Sequence, residues 1–298
     1  MNRRVLLDTS SLMYRSYFSH PTSVADPDGR PVNAVYGYLD MVSYLLAARK
    51  PVELVHTYDD DWRPAPRVAI YDGYKANRQP DPEPLPWQFV LLRELLDAAG
   101  MAQAEAPGWE AEDAIGSLIA QQGDREPATD IVTGDRDLIQ LVRDPWVRVL
   151  FTLRGVREVA EYDEAGVLAK YGVPANRYAE FAMLRGDPSD GLPGVHGVGE
   201  KTARELVKAY PSLEALLEDA AAPTRTGPLL QRSPRLRGSV RDSADYLRSM
   251  QRIVPIRTDL ELRTWKPEFD EGRLRGLARQ HNLNGPVNRL LDAFGGVR

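Results

Sequence analysis

The chain has 298 residues, 43% of them hydrophobic and 27% charged, with a formal net charge of −5 and no cysteine. That length and composition fit a globular protein with a real core, as one large domain or two smaller ones. They exclude disulfides, zinc–thiolate sites and thiol catalysis. The opening MNRRVLLDTSS has only Val5, Leu6 and Leu7 as an apolar run, too short for a signal peptide. No stretch of 18 apolar residues follows, so a cytoplasmic protein with no membrane partner is expected.

In chain order, Val5–Leu7 predicts a short buried strand ending at Asp8, with Thr9 or Ser10 capping the next helix. Residues 33–49 predict a helix stopped by Pro51, and residues 52–58 a strand ending at Asp59. Residues 62–86 hold six prolines without periodicity and predict a long, partly mobile excursion. A helix over 87–99, a helix over 110–122, a strand over 130–133 and a short helix from Asp137 continue the alternation. This predicts an α/β fold with a mostly parallel sheet and its ligand site at the carboxyl ends of the strands. From about Tyr162 the pattern turns helical, over 163–171, 176–185, 200–210 and 212–219. The Pro-, Gly- and Arg-rich stretch 221–240 predicts a loop.

Charge is unevenly spread. Arg63, Arg67, Lys75 and Arg78 stand against one acid, Asp72, between Trp62 and Arg78. Arg225, Arg232, Arg235, Arg237 and Arg241 stand against none between Ala220 and Arg241. Acids gather instead at predicted strand ends and helix starts: Asp8; Asp59 with Asp60 and Asp61; Glu110, Glu112 and Asp113; Asp135 and Asp137; Asp187 and Asp190. The Asp135/Asp137 pair falls on one side of an extended segment, and Glu110 and Asp113 share a helix face. Glu112 would join them only through irregular geometry at the helix start. So many anions share a cleft only with cations present, and hard oxygen donors point to Mg²⁺ or Mn²⁺. Two such ions about 4 Å apart suit phosphodiester hydrolysis. Caps and a solvated surface are the plainer alternative.

The stretch GVHGVGEKT resembles a nucleotide loop but fails its template. Gly194 and Gly199 enclose four residues, yet Glu200 intervenes before Lys201 and Thr202, and no strand precedes them. No nucleotide cofactor is expected. A hairpin through Gly194, Gly197 and Gly199 would let amides at the start of the next helix meet a DNA phosphate, with a monovalent cation on the loop carbonyls bridging it. A turn between helices with no ligand is the alternative.

Five segments in this order resemble the 5′ nuclease or flap endonuclease family, which includes the amino-terminal domain of bacterial DNA polymerase I. They are LLDTSSLMYRSYF (6–18), YKANR (74–78), PGWEAEDAIGSL (107–118), IVTGDRDLIQL (131–141) and GDPSDGLPGVHGVGEKTA (186–203). The resemblance implies a PIN-like α/β core over 1–161 with a helical arch at about 62–86. A mainly helical DNA-binding part over 162–298 would carry a helix–three-turn–helix at about 181–210. It implies a two-metal 5′–3′ exonuclease and flap endonuclease acting on DNA with 5′ single-stranded flaps or ends beside duplex, and on RNA–DNA hybrids. Asp8, Asp59, Glu110, Glu112, Asp113, Asp135, Asp137, Asp187 and Asp190 match its metal-binding acids. Lys75 and Arg78 match catalytic basic residues. Tyr74, Lys75, Arg78, Gly194, Gly197, Gly199, Lys201 and Thr202 match DNA-contact positions, with K⁺ in the hairpin. Glu112 stands where aspartate is usual and Gly191 where asparagine is usual. The run of three aspartates leaves the second ligand's register open, with Asp59 favoured. The end at Arg298, with no polymerase region, implies a free-standing member. The alternatives are a flap-binding protein with weak or no catalysis and a PIN-type ribonuclease.

Overall fold

A computed structural model describes residues 2–223 and 227–295 of the chain. Strands and helices alternate through β1 (Arg3–Asp8), α1 (Thr9–Ser19), α2 (Asn33–Arg49), β2 (Glu53–Tyr58), α3 (Ala65–Ile70), α4 (Leu85–Ala98), β3 (Ala102–Glu105), α5 (Ala111–Gln122) and β4 (Ala128–Thr133). A 3-10 turn (Asp137–Leu141) leads to the hairpin of β5 (Val147–Arg154) and β6 (Glu158–Tyr162). Helices follow: α6 (Glu164–Tyr171), α7 (Tyr178–Arg185), α8 (Glu200–Ala209), α9 (Leu213–Ala221), α10 (Pro228–Arg232), α11 (Pro234–Asp242) and α12 (Ala244–Met250). Then come β7 (Arg263–Trp265), α13 (Glu271–Gln280) and α14 (Asn284–Gly295). None of the described helices is long and apolar enough to cross a membrane.

The seven strands are ordered β6-β5-β4-β1-β2-β3-β7, with β5 through β3 parallel and both edge strands antiparallel. The order runs outward from β1 to β3 and then restarts at β4 on the other side of β1. That reversal opens a crevice at the carboxyl ends of β1 and β4. Alternation along β1 sends Leu6 into one core and Val5 and Leu7 into the other. The Val5–Leu7 core packs α1, α2, α4, α13 and α14, and the Leu6 core packs α5 and the helices from α6 to α12.

Several expectations need correction. Asp8 itself, rather than Thr9 or Ser10, caps α1, its carboxylate accepting from Ser11 N. The 62–86 excursion contains α3, which follows Pro64 and carries Pro66 in its first turn, where proline's fixed φ suits a helix. The 221–240 stretch is not a loop. Pro228 and Pro234 stand at the first turns of α10 and α11, and Ser233 caps α11. Arg225 lies outside the described residues. Arg237 is spent on the carbonyls of Ala220 and Ala222, whereas Arg232, Arg235 and Arg241 face outward. After residue 162 the described residues are mainly helical, as expected, with one short strand among them. β7 pairs with β3, where Trp265 stacks on Tyr58 at 6.2 Å, and α14 packs on α2. A three-residue strand carries too little periodicity to be seen in sequence.

Candidate metal centre

Six segments around the crevice supply one cavity of about 310 Å³, lined by Asp8, Asp59, Glu110, Glu112, Asp135 and Asp187 together with Lys75 and Arg78. Asp8 ends β1. Its Oδ1 accepts from Ser11 N at 3.1 Å and its Oδ2 from Thr133 Oγ1 at 2.6 Å. Burial pushes its carboxyl up to about 7. The Thr133 bond opposes that shift, and the charges of Asp135 and Asp59 add to it. Asp59 ends β2 and accepts from Ala111 N at 2.7 Å, bridging to the start of α5. Asp60 turns away to Gly108 N and Asp61 to Arg63 N, so of the three only Asp59 lines the cavity.

The acids of α5 divide between two sides. Glu110 is the cap, and Asp113 completes a capping box with it. Arg67, from α3 and only 1% exposed, enters behind them. Its Nη1 donates to Glu110 at 2.7 Å and to Asp113 at 2.8 Å, and lies 3.5 Å from Glu112. Carboxylate oxygens of Glu110, Glu112 and Asp113 come within 4.8 Å of one another, a spacing that would suit a metal. The guanidinium already occupies that junction. Asp113 therefore faces Arg67 rather than the cavity, while Glu112 reaches the cavity from a regular helix without the irregular start expected for it.

Asp135 and Asp137 are not on an extended segment. Arg136 is helical, and Asp137 opens the 3-10 turn with its amide on Asp135 Oδ1 at 2.9 Å. Burial raises both carboxyls. Asp137 is also raised by the charges of Asp135, Asp190 and Asp187. Asp187 lines the cavity and holds Ser189, whereas buried Asp190 accepts from Arg78 at 2.7 Å. Lys75 has a left-handed backbone (φ 52°), donates its amide to Asp190 O at 2.9 Å, and pairs through Nζ with Glu110. Tyr74, 2% exposed with its hydroxyl on Glu110 at 2.6 Å, cannot present its side chain to DNA as expected. Among cavity residues, Ser10, Ser11, Tyr14, Arg136 and Ser189 were not foreseen, nor was Arg67 behind it. Tyr14 and Ser11 share a face of α1 three residues apart, the signal that could have found them.

The donor set fits divalent ions. Of the three cations lining the cavity, Lys75 is matched by Glu110 and Arg78 by Asp190. That leaves Asp8, Asp59 and Asp135, with Glu112 and Asp137 beside them and Asp187 loosely paired at 3.8 Å with Arg185, in excess over Arg136. Burial raises Glu112 well above the ordinary range, a shift Arg67 opposes. Carboxylates kept this close and this dry need further positive charge, and hard oxygen donors suit a hard cation.

The glycine hairpin lies between α7 and α8. A Cβ on Gly194 would meet Gly186 N at 2.5 Å, so that glycine serves backbone packing. Gly197 (φ 75°) and Gly199 have open space, and Gly199 starts α8 without a side-chain cap. Lys201 is exposed and Thr202 half-buried beside them.

Residues 3–172 match the family model described as 5′-3′ exonuclease, N-terminal resolvase-like domain, and residues 173–274 match its C-terminal SAM fold. The chain belongs to the 5′–3′ exonuclease family. It is 40% identical to a 5′-3′ exonuclease of Mycobacterium tuberculosis, covering 97% of each chain. It is 36% identical to the thermostable DNA polymerase I of Thermus aquaticus, with 98% of this chain matching 33% of that one. The solved structure of a bacteriophage T5 flap endonuclease in a pseudo-enzyme–product complex with DNA and metal ions shares the fold, at a TM-score of 0.66 and 15% identity over 98% of this chain and 99% of that one. Gly191 has a left-handed backbone (φ 72°), and a Cβ there would lie 2.4 Å from Gly73 O.

Proposed function

We infer that this chain is a divalent-metal-dependent 5′–3′ exonuclease and 5′-flap endonuclease, hydrolysing DNA phosphodiesters where a 5′ single strand meets duplex. The observation that carries this reading is the excess of carboxylates from five separate segments in one cavity beside Lys75 and Arg78. Asp8, Asp59, Glu112, Asp135, Asp137 and Asp187 would hold two ions, Mg²⁺ or Mn²⁺, with Glu110 sharing its charge between them, Lys75 and Arg67. Bound there, the ions supply an activated water and charge for the leaving oxygen. The chain's own groups do the rest. Lys75, fixed by its backbone bond to Asp190 O, offers a cation to the phosphate oxygens as they gain charge. Arg78, held by Asp190 and part exposed, meets a neighbouring phosphate at the mouth. Asp190 keeps Arg78 in place and Asp113 holds Arg67 behind the cavity, rather than reaching the ions. The open hairpin at Gly197 and Gly199 holds the duplex through amides at the start of α8, with K⁺ on its carbonyls and Lys201 and Thr202 beside it. RNA strands in RNA–DNA hybrids are a second substrate. A labelled set of flap, nicked, blunt and hybrid duplexes with Mg²⁺ or Mn²⁺ tests this. Metal-dependent cutting near the flap junction is expected, and tight flap binding without turnover under any divalent ion would reduce the protein to a DNA-binding one.

A further inference from the structure

Beneath the acid-lined cavity, an otherwise largely apolar core carries a line of three buried polar side chains. Thr9, Tyr38 and His56 are all 0% exposed. The Thr9 and Tyr38 oxygens are 3.0 Å apart, and the Tyr38 hydroxyl lies 2.6 Å from His56 Nδ1. Tyr38 belongs to the same apolar core as Leu7, Leu12, Met13 and Leu39. Two of the three adjoin the metal centre along the chain. Thr9 opens α1 directly after Asp8, and His56 stands on β2 shortly before Asp59. Parallel pairing sets Leu7 opposite His56 and Asp8 opposite Thr57. Tyr38, in the middle of α2, ties the two strand ends together.

The protons in this line can be assigned by economy. Burial, with the charge of Asp8 adding to it, holds the Tyr38 hydroxyl far above its ordinary range, so it is a phenol with one proton. Burial holds the imidazole down to about 3, so it is neutral. Among the described residues, His56 Nε2 has no hydrogen-bond partner. A proton on Nε2 would be a buried donor with nothing to meet. A proton on Nδ1 leaves only an unused lone pair, with His56 donating to Tyr38 and Tyr38 donating to Thr9 Oγ1. Phenylalanine and valine in place of Tyr38 and His56 would fill similar space and leave the Thr9 hydroxyl as the one group of the line without its partner, at a small cost to stability. What they would lose is direction. Apolar packing lets a helix slide on a strand by fractions of an ångström, whereas two short hydrogen bonds in series do not.

We propose that Tyr38 is a positioning residue for the metal centre: through Thr9 and His56 it sets the ends of β1 and β2 relative to each other, and with them the separation of the Asp8 and Asp59 carboxylates. This rests on the reading of those acids as metal ligands, and the test separates the two. Mn²⁺ binding is measured by calorimetry without DNA, alongside thermal melting, on the full chain. The double variant Tyr38→Phe/His56→Val is expected to melt near the wild-type temperature while binding Mn²⁺ at least about fivefold more weakly. Thr9→Ser, which keeps the hydroxyl, is expected to bind as wild type, and Thr9→Ala to weaken binding like the double variant. Thr9→Ala also stands in should the double variant fail to fold. Unchanged Mn²⁺ affinity in the double variant or in Thr9→Ala, whatever the melting temperature, overturns the positioning role. Asp135→Asn is the control. If it binds Mn²⁺ as wild type does, or if wild type binds none, the metal-centre reading fails and takes this inference with it.

Discussion

Arg67 and Asp113 meet through two parallel hydrogen bonds of 2.8 Å, Nη1 to Oδ2 and Nη2 to Oδ1, at a point the solvent barely reaches. The same guanidinium is held by Ile253 O at 3.0 Å and lies against the rings of Tyr74 and Trp109. It is thus the fixed countercharge against which α5 sets its acids. Arg67→Met should leave Asp113 as an uncompensated buried charge, with Glu110 kept only by Lys75 and Tyr74, and destabilise the fold by about 3–5 kcal/mol. Arg67→Met/Asp113→Leu should recover part of that loss. Urea unfolding at neutral pH checks both. A single variant as stable as wild type would mean that water already screens the cluster.

The division between Asp135, inside the cavity, and Asp113, behind it, sets a contrast between two substitutions of similar size. Asp135→Asn should cut the single-turnover cleavage rate by more than about 100-fold, beyond the loss usual for a residue that only supports a ligand. Flap-DNA affinity and melting temperature should stay close to wild type. Asp113→Asn should instead lower stability, with a smaller effect on rate, because its partner is Arg67. Gel-shift, melting and quench-flow measurements on the pair decide it. Equal loss of rate in both, at equal stability, would place Asp113 among the ligands.

Lys75 is the basic group set closest to the acids, on a backbone that a non-glycine residue adopts at some cost. Removing it should leave Glu110 Oε1 held by Arg67 and Tyr74, at 2.7 and 2.6 Å, with Oε2 open to the cavity that Glu110 lines. Lys75→Ala should therefore fold normally and slow the chemical step by about 100-fold, with DNA affinity little changed. An unchanged single-turnover rate would remove its electrostatic role.

What the sequence could show followed the range of each interaction. The parallel α/β core was legible because Val5–Leu7, residues 33–49 and residues 110–122 carry their period within one segment. The strand-end acids were legible because that fold puts its site there. Asp59 could not be told from Asp60 and Asp61 by pattern, since the choice is made by Ala111 N and Gly108 N some fifty residues away. Arg67 stood out only as one of a basic stretch, and its part behind the cavity was hidden for the same reason, as its partners lie more than forty residues on. The surroundings of Asp113 and Asp190 turned on Arg67 and Arg78, distant in sequence, and β7 was too short to carry a period.

Asp8 ties stability to pH. Burial holds its carboxyl at about 7, against an ordinary 3.8, and Glu112, Asp135 and Asp137 are shifted the same way. A carboxyl raised in the folded state favours folding while protonated. Its contribution is fully present below about pH 4 and is lost as pH rises through 7. Metal needs the carboxylate, so Mg²⁺ should compete with that proton. In EDTA the melting temperature should fall from about pH 5 to pH 8, and the rise produced by saturating Mg²⁺ should be small at pH 5 and grow through pH 7. A Mg²⁺-induced rise that is constant over this range would mean these acids carry no proton when metal-free.

The two glycines of the hairpin should fail in different ways. Gly194 is pressed against Gly186, where an added Cβ would lie 2.5 Å from backbone nitrogen, so Gly194→Ala should lower the melting temperature and disturb the hairpin itself. Gly197 has a left-handed backbone but nothing within 4 Å of the added atom, so Gly197→Val costs local strain and places its bulk outward, where duplex would approach. Gly197→Val should weaken duplex binding by about three- to tenfold, while cleavage at saturating DNA stays near wild type. Lys201→Ala should lower the slope of log affinity against log salt by about 1. Fluorescence anisotropy across a salt series distinguishes these cases. If Gly197→Val binds duplex as wild type does and the Lys201 slope is unchanged, the hairpin only joins two helices, and the duplex must be held by another basic surface, of which outward-facing Arg232, Arg235 and Arg241 are the nearest candidates in the sequence.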